Sequence, residues 1–173
     1  MLAAYGLTAA DVEIVDIPDA AALGSGAVDL AVLVEASLTQ ALARGYATAW
    51  QRIGERLPGF QIGLLTYGPN LLEANPEVGD RFMAAYLKGV RQYNQGKTAR
   101  NMEVLKQYTE LDEDVLESSC WPAFRNDGTV AAETVAEFEQ RGMSQGLLDA
   151  VIDPAQLIDT RFVDHTSQVL SGQ

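Results

Sequence analysis

The sequence predicts an α/β protein with parallel strands in its first 67 residues and mostly helices after them. Two observations carry this prediction. Strand-like and helix-like segments alternate early in the chain, and no convincing strand follows residue 67. Alternation at this spacing is typical of a parallel sheet covered by helices. We therefore expect an α/β part followed by a helical part.

Three segments have the composition of strands. Residues 11–17 alternate apolar and acidic side chains at first and stop at Pro18. Residues 29–34 are continuously apolar after Asp29, a pattern typical of a buried parallel strand. Residues 60–67 form the third segment, and residues 46–50 are a further short candidate. Together these segments predict the sheet.

The helices are predicted from periodic apolar residues and from end signals. The strongest case is residues 76–95, where Asn75-Pro76 starts a run with apolar side chains at helical spacing. Asp153-Pro154 gives a similar start to a short turn. Further helices are expected over residues 18–23, 36–44, 102–108, 112–118, 130–142 and 162–170.

Composition and charge exclude several classes of protein. The chain has 173 residues, 47% apolar and 21% charged, which is enough for a globular core. The 12 basic and 24 acidic residues give a net charge of −12, which disfavours nucleic acid as a partner. One cysteine and one histidine cannot build a Cys/His zinc site, and we expect no metal or cofactor. The first 43 residues lack Lys and Arg, so no secretory signal is expected in this chain.

Residues often used in catalysis are not arranged in a recognisable motif. His165 is expected to be a structural histidine on the last helix, and Cys120 an inert packing thiol. Gly24-Ser25-Gly26 lacks the Lys-Ser/Thr of a phosphate-binding loop and is expected to end a helix. We therefore expect no catalytic site.

The predicted strand ends are the candidate ligand sites, because ligands collect at the carboxyl ends of parallel strands. Glu35 and Ser37 follow the strand at 29–34, and capping of the next helix is an equally weighted role for Glu35. Thr66 and Tyr67 end the strand at 60–67, where a structural role is the alternative. The Tyr67 ring could stack on an organic ligand.

Several short motifs follow one another in a specific order along most of the chain. They are Gly6-Leu7-Thr8, DVEIV at residues 11–15, ALGSGAVD at 22–29, Val34-Glu35, YTELD at 108–112, FRNDG at 124–128 and residues 152–162. This order resembles the second lobe and C-terminal region of ABC-importer substrate-binding proteins for nitrate, sulfonates, taurine and thiamine-pyrimidine precursors. Residues 23–35 carry the strongest likeness, although Ala36 replaces the proline that usually follows the glutamate.

The resemblance implies a type II periplasmic-binding-protein-like fold that clamps a small organic molecule between two lobes without turnover. Residues 1–60 would belong to the second lobe, and residues 61–173 would supply a hinge-crossing strand and the helical part of the first lobe. The implied ligand-binding residues are Glu35, Ser37, Thr66, Tyr67 and Asn70. The implied partner is an ABC permease, and the implied location is periplasmic or extracellular and membrane-anchored.

The likeness extends over only about the second half of such a protein. We therefore expect unpaired sheet edges, and either a fragment or truncated reading frame, or a chain that assembles with another copy or with a missing N-terminal piece. Two alternative functions remain open. One is an enzyme similar to the pyrimidine-precursor synthases of this family, which use histidine and iron. The other is the effector-sensing domain of a regulator, although the chain has no basic patch for DNA.

Overall fold

The computed structural model describes residues 2–171. For Ser171 it describes the backbone but not the side chain. The helices are α1 (Ala21–Gly24), α2 (Ser37–Ala43), α3 (Ile53–Arg56), α4 (Pro76–Tyr93), α5 (Ala99–Thr109), α6 (Glu113–Ser118), α7 (Ala132–Ser144), α8 (Pro154–Leu157) and α9 (Arg161–Ser171). Two 3-10 helices, Leu2–Tyr5 and Ala9–Asp11, and a π-helix, Asn70–Ala74, complete the regular structure. Contacts divide the chain into two compact units. Unit 1 contains residues 2–49 and 105–121, and unit 2 contains residues 50–104 and 122–171.

The predicted α/β fold with parallel strands is wrong, because residues 2–171 contain helices and connecting segments but no strand. A strand exists only when a neighbouring strand takes its backbone hydrogen bonds. Within the described chain, the backbone groups of residues 12–17 and 29–33 make no such bonds. Their apolar side chains, like those of the third predicted strand, are left in solvent: Ile14 is 76% exposed, Val32 66% and Ile62 80%. Residues 46–50 likewise form no strand.

The helical predictions are confirmed. The predicted helix at 76–95 is α4, with Pro76 in its first turn, and those at 36–44 and 112–118 are α2 and α6. Asp153 begins α8 as expected, since its carboxylate accepts a hydrogen bond from the Ala155 N–H at 2.9 Å. These elements depend on neighbours three or four residues away, which local sequence specifies.

Unit 2 has its hydrophobic core between α4 and α9. Gly79, Met83, Leu87 and Val90 form a buried stripe along α4, because residues three or four apart share a helix face. Met83 and Leu87 cluster with Phe162 of α9, and partly buried side chains surround them. Thr166, one turn beyond Phe162, is also buried.

Unit 1 is held together by the packing of α2 against α6. Ala41 of α2 and Leu116 of α6 are nearly inaccessible to solvent. The indole Nε1–H of Trp121 donates to the Leu116 carbonyl at 3.0 Å, so the chain after α6 folds back on that helix. Across residues 2–171, no helix combines the length and apolar character needed to cross a bilayer.

The buried hydroxyl of Thr166 supports a stability prediction. This residue is 1% exposed, and its Oγ1 has no hydrogen-bond partner in the described chain. Because a buried polar group without a partner is destabilising, Thr166→Val is expected to raise the free energy of unfolding by about 1 kcal/mol. Urea denaturation measures the difference.

The matched control is the same exchange at Thr134. Its Oγ1 accepts from the Gln61 N–H at 3.1 Å and donates to the Ala131 carbonyl at 3.0 Å. Thr134→Val should therefore lower the stability. A loss of stability in both variants would contradict the prediction for Thr166.

Candidate functional site

Unit 1 contains a cleft of about 250 Å³. It is lined by the start of α1, one face of α2 and the residues that follow α2. The lining residues are Asp19, Ala20, Ala21, Ser37, Gln40, Ala41, Arg44 and Tyr46. The cleft therefore combines a carboxylate, a hydroxyl, an amide, a guanidinium and an aromatic ring.

One face of α2 supplies half of this lining. Gln40 and Ala41 lie three and four residues after Ser37, and Arg44 lies four and three residues after them, which places all four along one helix face. Ser37 is the first residue of α2 and Arg44 is its C-cap, so the hydroxyl and the guanidinium lie at opposite ends of the helix. No carboxylate of the described chain forms an ion pair with Arg44. The guanidinium is therefore available to a ligand.

Tyr46, which lines the cleft, packs closely against Gly24 at the end of α1. A Cβ atom on Gly24 would lie 2.5 Å from Cδ1 of the Tyr46 ring, a distance that real Cβ contacts avoid. Gly24 also ends α1, and Gly26, with φ +73°, turns the chain away, as expected for this glycine pair. Asp19 lies two residues before α1, and its Oδ1 accepts from the N–H of Ala21, the first residue of that helix, at 2.7 Å.

Glu35 lies just before α2, and both of its carboxylate oxygens accept hydrogen bonds from the protein. Oε2 accepts from the Thr39 N–H at 3.2 Å and from the Thr39 hydroxyl at 2.8 Å. Oε1 accepts from the Cys120 N–H at 3.3 Å. These are the bonds of a helix-capping residue that also ties α2 to the segment after α6. Contact between Glu35 and a ligand stays a prediction.

The remaining predicted ligand residues belong to unit 2. The Tyr67 hydroxyl donates to the Gly79 carbonyl at 2.8 Å, and its ring centroid lies 4.9 Å from that of Phe162. Asn70 Oδ1 accepts from Asn75 Nδ2 at 2.8 Å. Thr66 is exposed. Tyr67 and Asn70 thus make structural contacts within unit 2, and their role toward a ligand stays a prediction.

The other chemically reactive side chains are dispersed. His165 lies on α9 with its side chain exposed. Cys120 is a free and exposed thiol, so its expected packing role is wrong. Among residues 2–171, no group of three or more His, Cys, Asp or Glu side chains could hold a metal ion.

No protein-family model, curated protein or solved structure compared with this chain matches it.

Sequence reasoning found Ser37 but missed Asp19, Gln40, Arg44 and Tyr46. A signal for Arg44 was present, because it is the first basic residue of the chain and follows Ser37 by seven positions, two helical turns. Tyr46 could not be found this way, since its contact with Gly24 joins residues 22 positions apart.

The contacts of Tyr67 support a pH prediction. Burial raises the pKa of the Tyr67 phenol above its ordinary value, and the negative charge of Asp80 raises it further. A raised folded-state pKa means that the stabilisation is complete below the ordinary tyrosine pKa of about 10 and is lost as the pH rises through the folded-state pKa. The difference in free energy of unfolding between the parent and Tyr67→Phe should therefore stay constant below about pH 10 and should shrink as the pH rises from there through the folded-state pKa.

Urea denaturation at a series of pH values measures this difference. Asp80→Asn is the companion variant, because removing the charge lowers the folded-state pKa toward its ordinary value and should make the loss of stability at high pH smaller. A parent and a Tyr67→Phe variant whose stabilities stay parallel across the alkaline range would contradict the prediction.

Proposed function

We propose that this chain captures a small organic molecule, without chemical turnover, as the solute-binding component of an ABC importer. The observation that supports this proposal is the cleft of unit 1, which is about 250 Å³ and combines polar and aromatic groups. Pockets for drug-sized ligands occupy about 300–1,000 Å³, so a cleft of this volume suits only a smaller solute. All the lining residues lie within residues 19–46, on both sides of residues 23–35, where the resemblance to solute-binding proteins is strongest.

The lining chemistry favours an anionic or zwitterionic solute. The planar guanidinium of Arg44 can donate two parallel hydrogen bonds to a sulfonate, nitrate or carboxylate. Ser37 and Gln40 add neutral hydrogen-bonding groups, and the Tyr46 ring offers an apolar face to a carbon skeleton. The free oxygen of Asp19 can accept from an amine. Taurine and other sulfonates therefore suit this cleft better than an aminopyrimidine.

The net charge of −12 does not oppose this choice strongly. A contact with one guanidinium acts over a few ångströms, whereas the other charges are screened over about 8 Å in physiological salt.

The proposal depends on the cleft and the motifs rather than on the α/β fold. The resemblance implies a ligand held between two lobes, whereas the proposed site lies entirely within unit 1. A permease as partner and a periplasmic or extracellular location are parts of the same proposal.

Calorimetric titration with taurine, an alkylsulfonate, nitrate and an aminopyrimidine tests the proposal. We expect taurine or the alkylsulfonate to bind and to be recovered unchanged. Loss of the charged donor in Arg44→Gln should weaken binding about tenfold or more. The matched control is Arg81→Gln, because Arg81 is an exposed residue of α4 in unit 2. Failure of all four solutes to bind, equal binding by Arg44→Gln, or chemical conversion of the solute would refute the proposal.

A further inference from the structure

Helix α4 has a second apolar stripe besides the buried one that faces α9. Its members, called here the outer stripe, are Val78, Phe82, Ala85 and Gly89. They are spaced by four, three and four residues, so they share one helix face. Val78 is 37% exposed and Phe82 46%, and both small residues are exposed as well. The outer stripe therefore presents an apolar face to solvent along about three turns of the longest helix.

The shape of the outer stripe is complementary to a second copy of itself. Its first half carries the large side chains of Val78 and Phe82, and its second half carries two small residues. When two copies of α4 run antiparallel about a two-fold axis, Val78 can lie opposite Gly89 of the other copy. The same register places Phe82 opposite Ala85, so the large side chains of each copy pack into the space beside the small residues of the other.

The charges beside the outer stripe match the same antiparallel register. Glu77 and Lys88 are eleven residues apart, about three helical turns, so they lie on the same side of the stripe. In the antiparallel pair, Lys88 of the second copy lies level with Gly79, about 3 Å along the axis from Glu77. Within the described chain neither Glu77 nor Lys88 forms an ion pair. The two Arg81 side chains would be about 7.5 Å apart along the axis, and both can turn to solvent.

A parallel arrangement lacks both kinds of complementarity. It would place Phe82 against Phe82 and Gly89 against Gly89, which leaves crowding at one end and a gap at the other. It would also place Glu77 beside Glu77 and Lys88 beside Lys88, and like charges at such positions are destabilising. Shape and charge therefore favour the same antiparallel arrangement independently.

We propose that this chain forms an antiparallel homodimer through the outer stripe of α4, with Glu77 of each copy paired to Lys88 of the other. The net charge of −12 per chain opposes association, but it is screened over about 8 Å in physiological salt. A contact through one helix face is smaller than the roughly 800 Å² per partner of a standard interface, so the dimer is weak. None of these residues lines the cleft of unit 1, so the dimer does not depend on the proposed function.

Sedimentation equilibrium over a series of protein concentrations in physiological salt tests the proposal. We expect a reversible equilibrium between monomer and dimer for the parent. Glu77→Lys and Lys88→Glu should each weaken dimerisation about tenfold, because each change replaces two attractions with two repulsions. The double variant restores opposite charges across the contact and should dimerise like the parent. A role of these residues in the monomer alone would not produce this rescue.

Ala85→Glu tests the outer stripe itself. The new carboxylate would lie in the middle of the contact, opposite Phe82 of the second copy, and should weaken dimerisation by at least about tenfold. The matched control is Ala99→Glu, which makes the same exchange at an exposed residue of α5 and should leave dimerisation unchanged. Circular dichroism checks that the helices persist in each variant.

A parent that stays monomeric at every concentration would overturn the proposal. A double variant that dimerises no better than the two single variants would overturn it as well. Parent-like dimerisation by a folded Ala85→Glu variant would show that two copies meet at another surface, and the proposal would then be wrong.

Discussion

Replacing Phe162 with alanine is expected to lower the free energy of unfolding of unit 2 by about 3–5 kcal/mol. Phe162 is 4% exposed and forms the core cluster of the unit with Met83 and Leu87. Its ring meets that of Tyr67 edge to face at a centroid distance of 4.9 Å. Alanine would remove the buried ring and leave a cavity between α4 and α9, because both helices are held at other contacts and can close only partly.

Urea denaturation followed by circular dichroism measures this loss, and hydrogen exchange of the α4 amides assigns it to unit 2. The matched control is Phe138→Ala. Phe138 is 61% exposed and makes an edge contact with Phe60 at 6.0 Å. Its removal should change the stability by no more than about 1 kcal/mol. Similar losses for the two variants would show that Phe162 does not form the core.

Gly79→Ala is expected to lower the free energy of unfolding by about 1–2 kcal/mol, although alanine is the better helix former by about 1 kcal/mol. A Cβ atom at this position would lie 2.6 Å from Phe162 Cε1 and 3.1 Å from Tyr67 Cε2. Neither ring can move freely, because Phe162 is buried and the Tyr67 hydroxyl is bonded to the Gly79 carbonyl. The steric conflict therefore outweighs the gain in helix propensity.

Gly89→Ala is the matched control in the same helix. A Cβ atom at Gly89 meets nothing within 4 Å, so only the propensity term acts there. This variant should raise the free energy of unfolding by about 0.5–1 kcal/mol. A loss of stability in Gly79→Ala together with a gain in Gly89→Ala would support the close packing of Phe162 of α9 against Gly79 of α4. A stabilising Gly79→Ala would contradict it.

The helices were predictable because their signals are local. Pro76 in the first turn of α4 and Asp153 at the start of α8 act on peptide groups a few residues away. The spacing of Met83, Leu87 and Val90 likewise marks a buried face without reference to the rest of the chain.

The strands were mispredicted because a strand needs a partner that propensity does not supply. Residues 29–34 contain the apolar side chains of a buried strand, yet Val32 is 66% exposed and the peptide groups of residues 29–33 are unpaired in the described chain. The composition of these segments indicates that they would suit a sheet. Whether a sheet forms depends on pairing over long sequence separations.

The candidate site divides in the same way. By itself the sequence determined that Ser37 lies at the start of a helix and that Glu35 directly precedes it. The seven-residue spacing between Ser37 and Arg44 was a further local signal, which the prediction did not use. Only the tertiary structure decided that the Tyr46 ring packs against Gly24 and that the Phe162 ring packs against Gly79. It also decided that the Cys120 N–H donates to the Glu35 carboxylate. The physical reason is range. Helix capping and periodicity act within one or two turns, whereas these contacts join residues that only packing brings together.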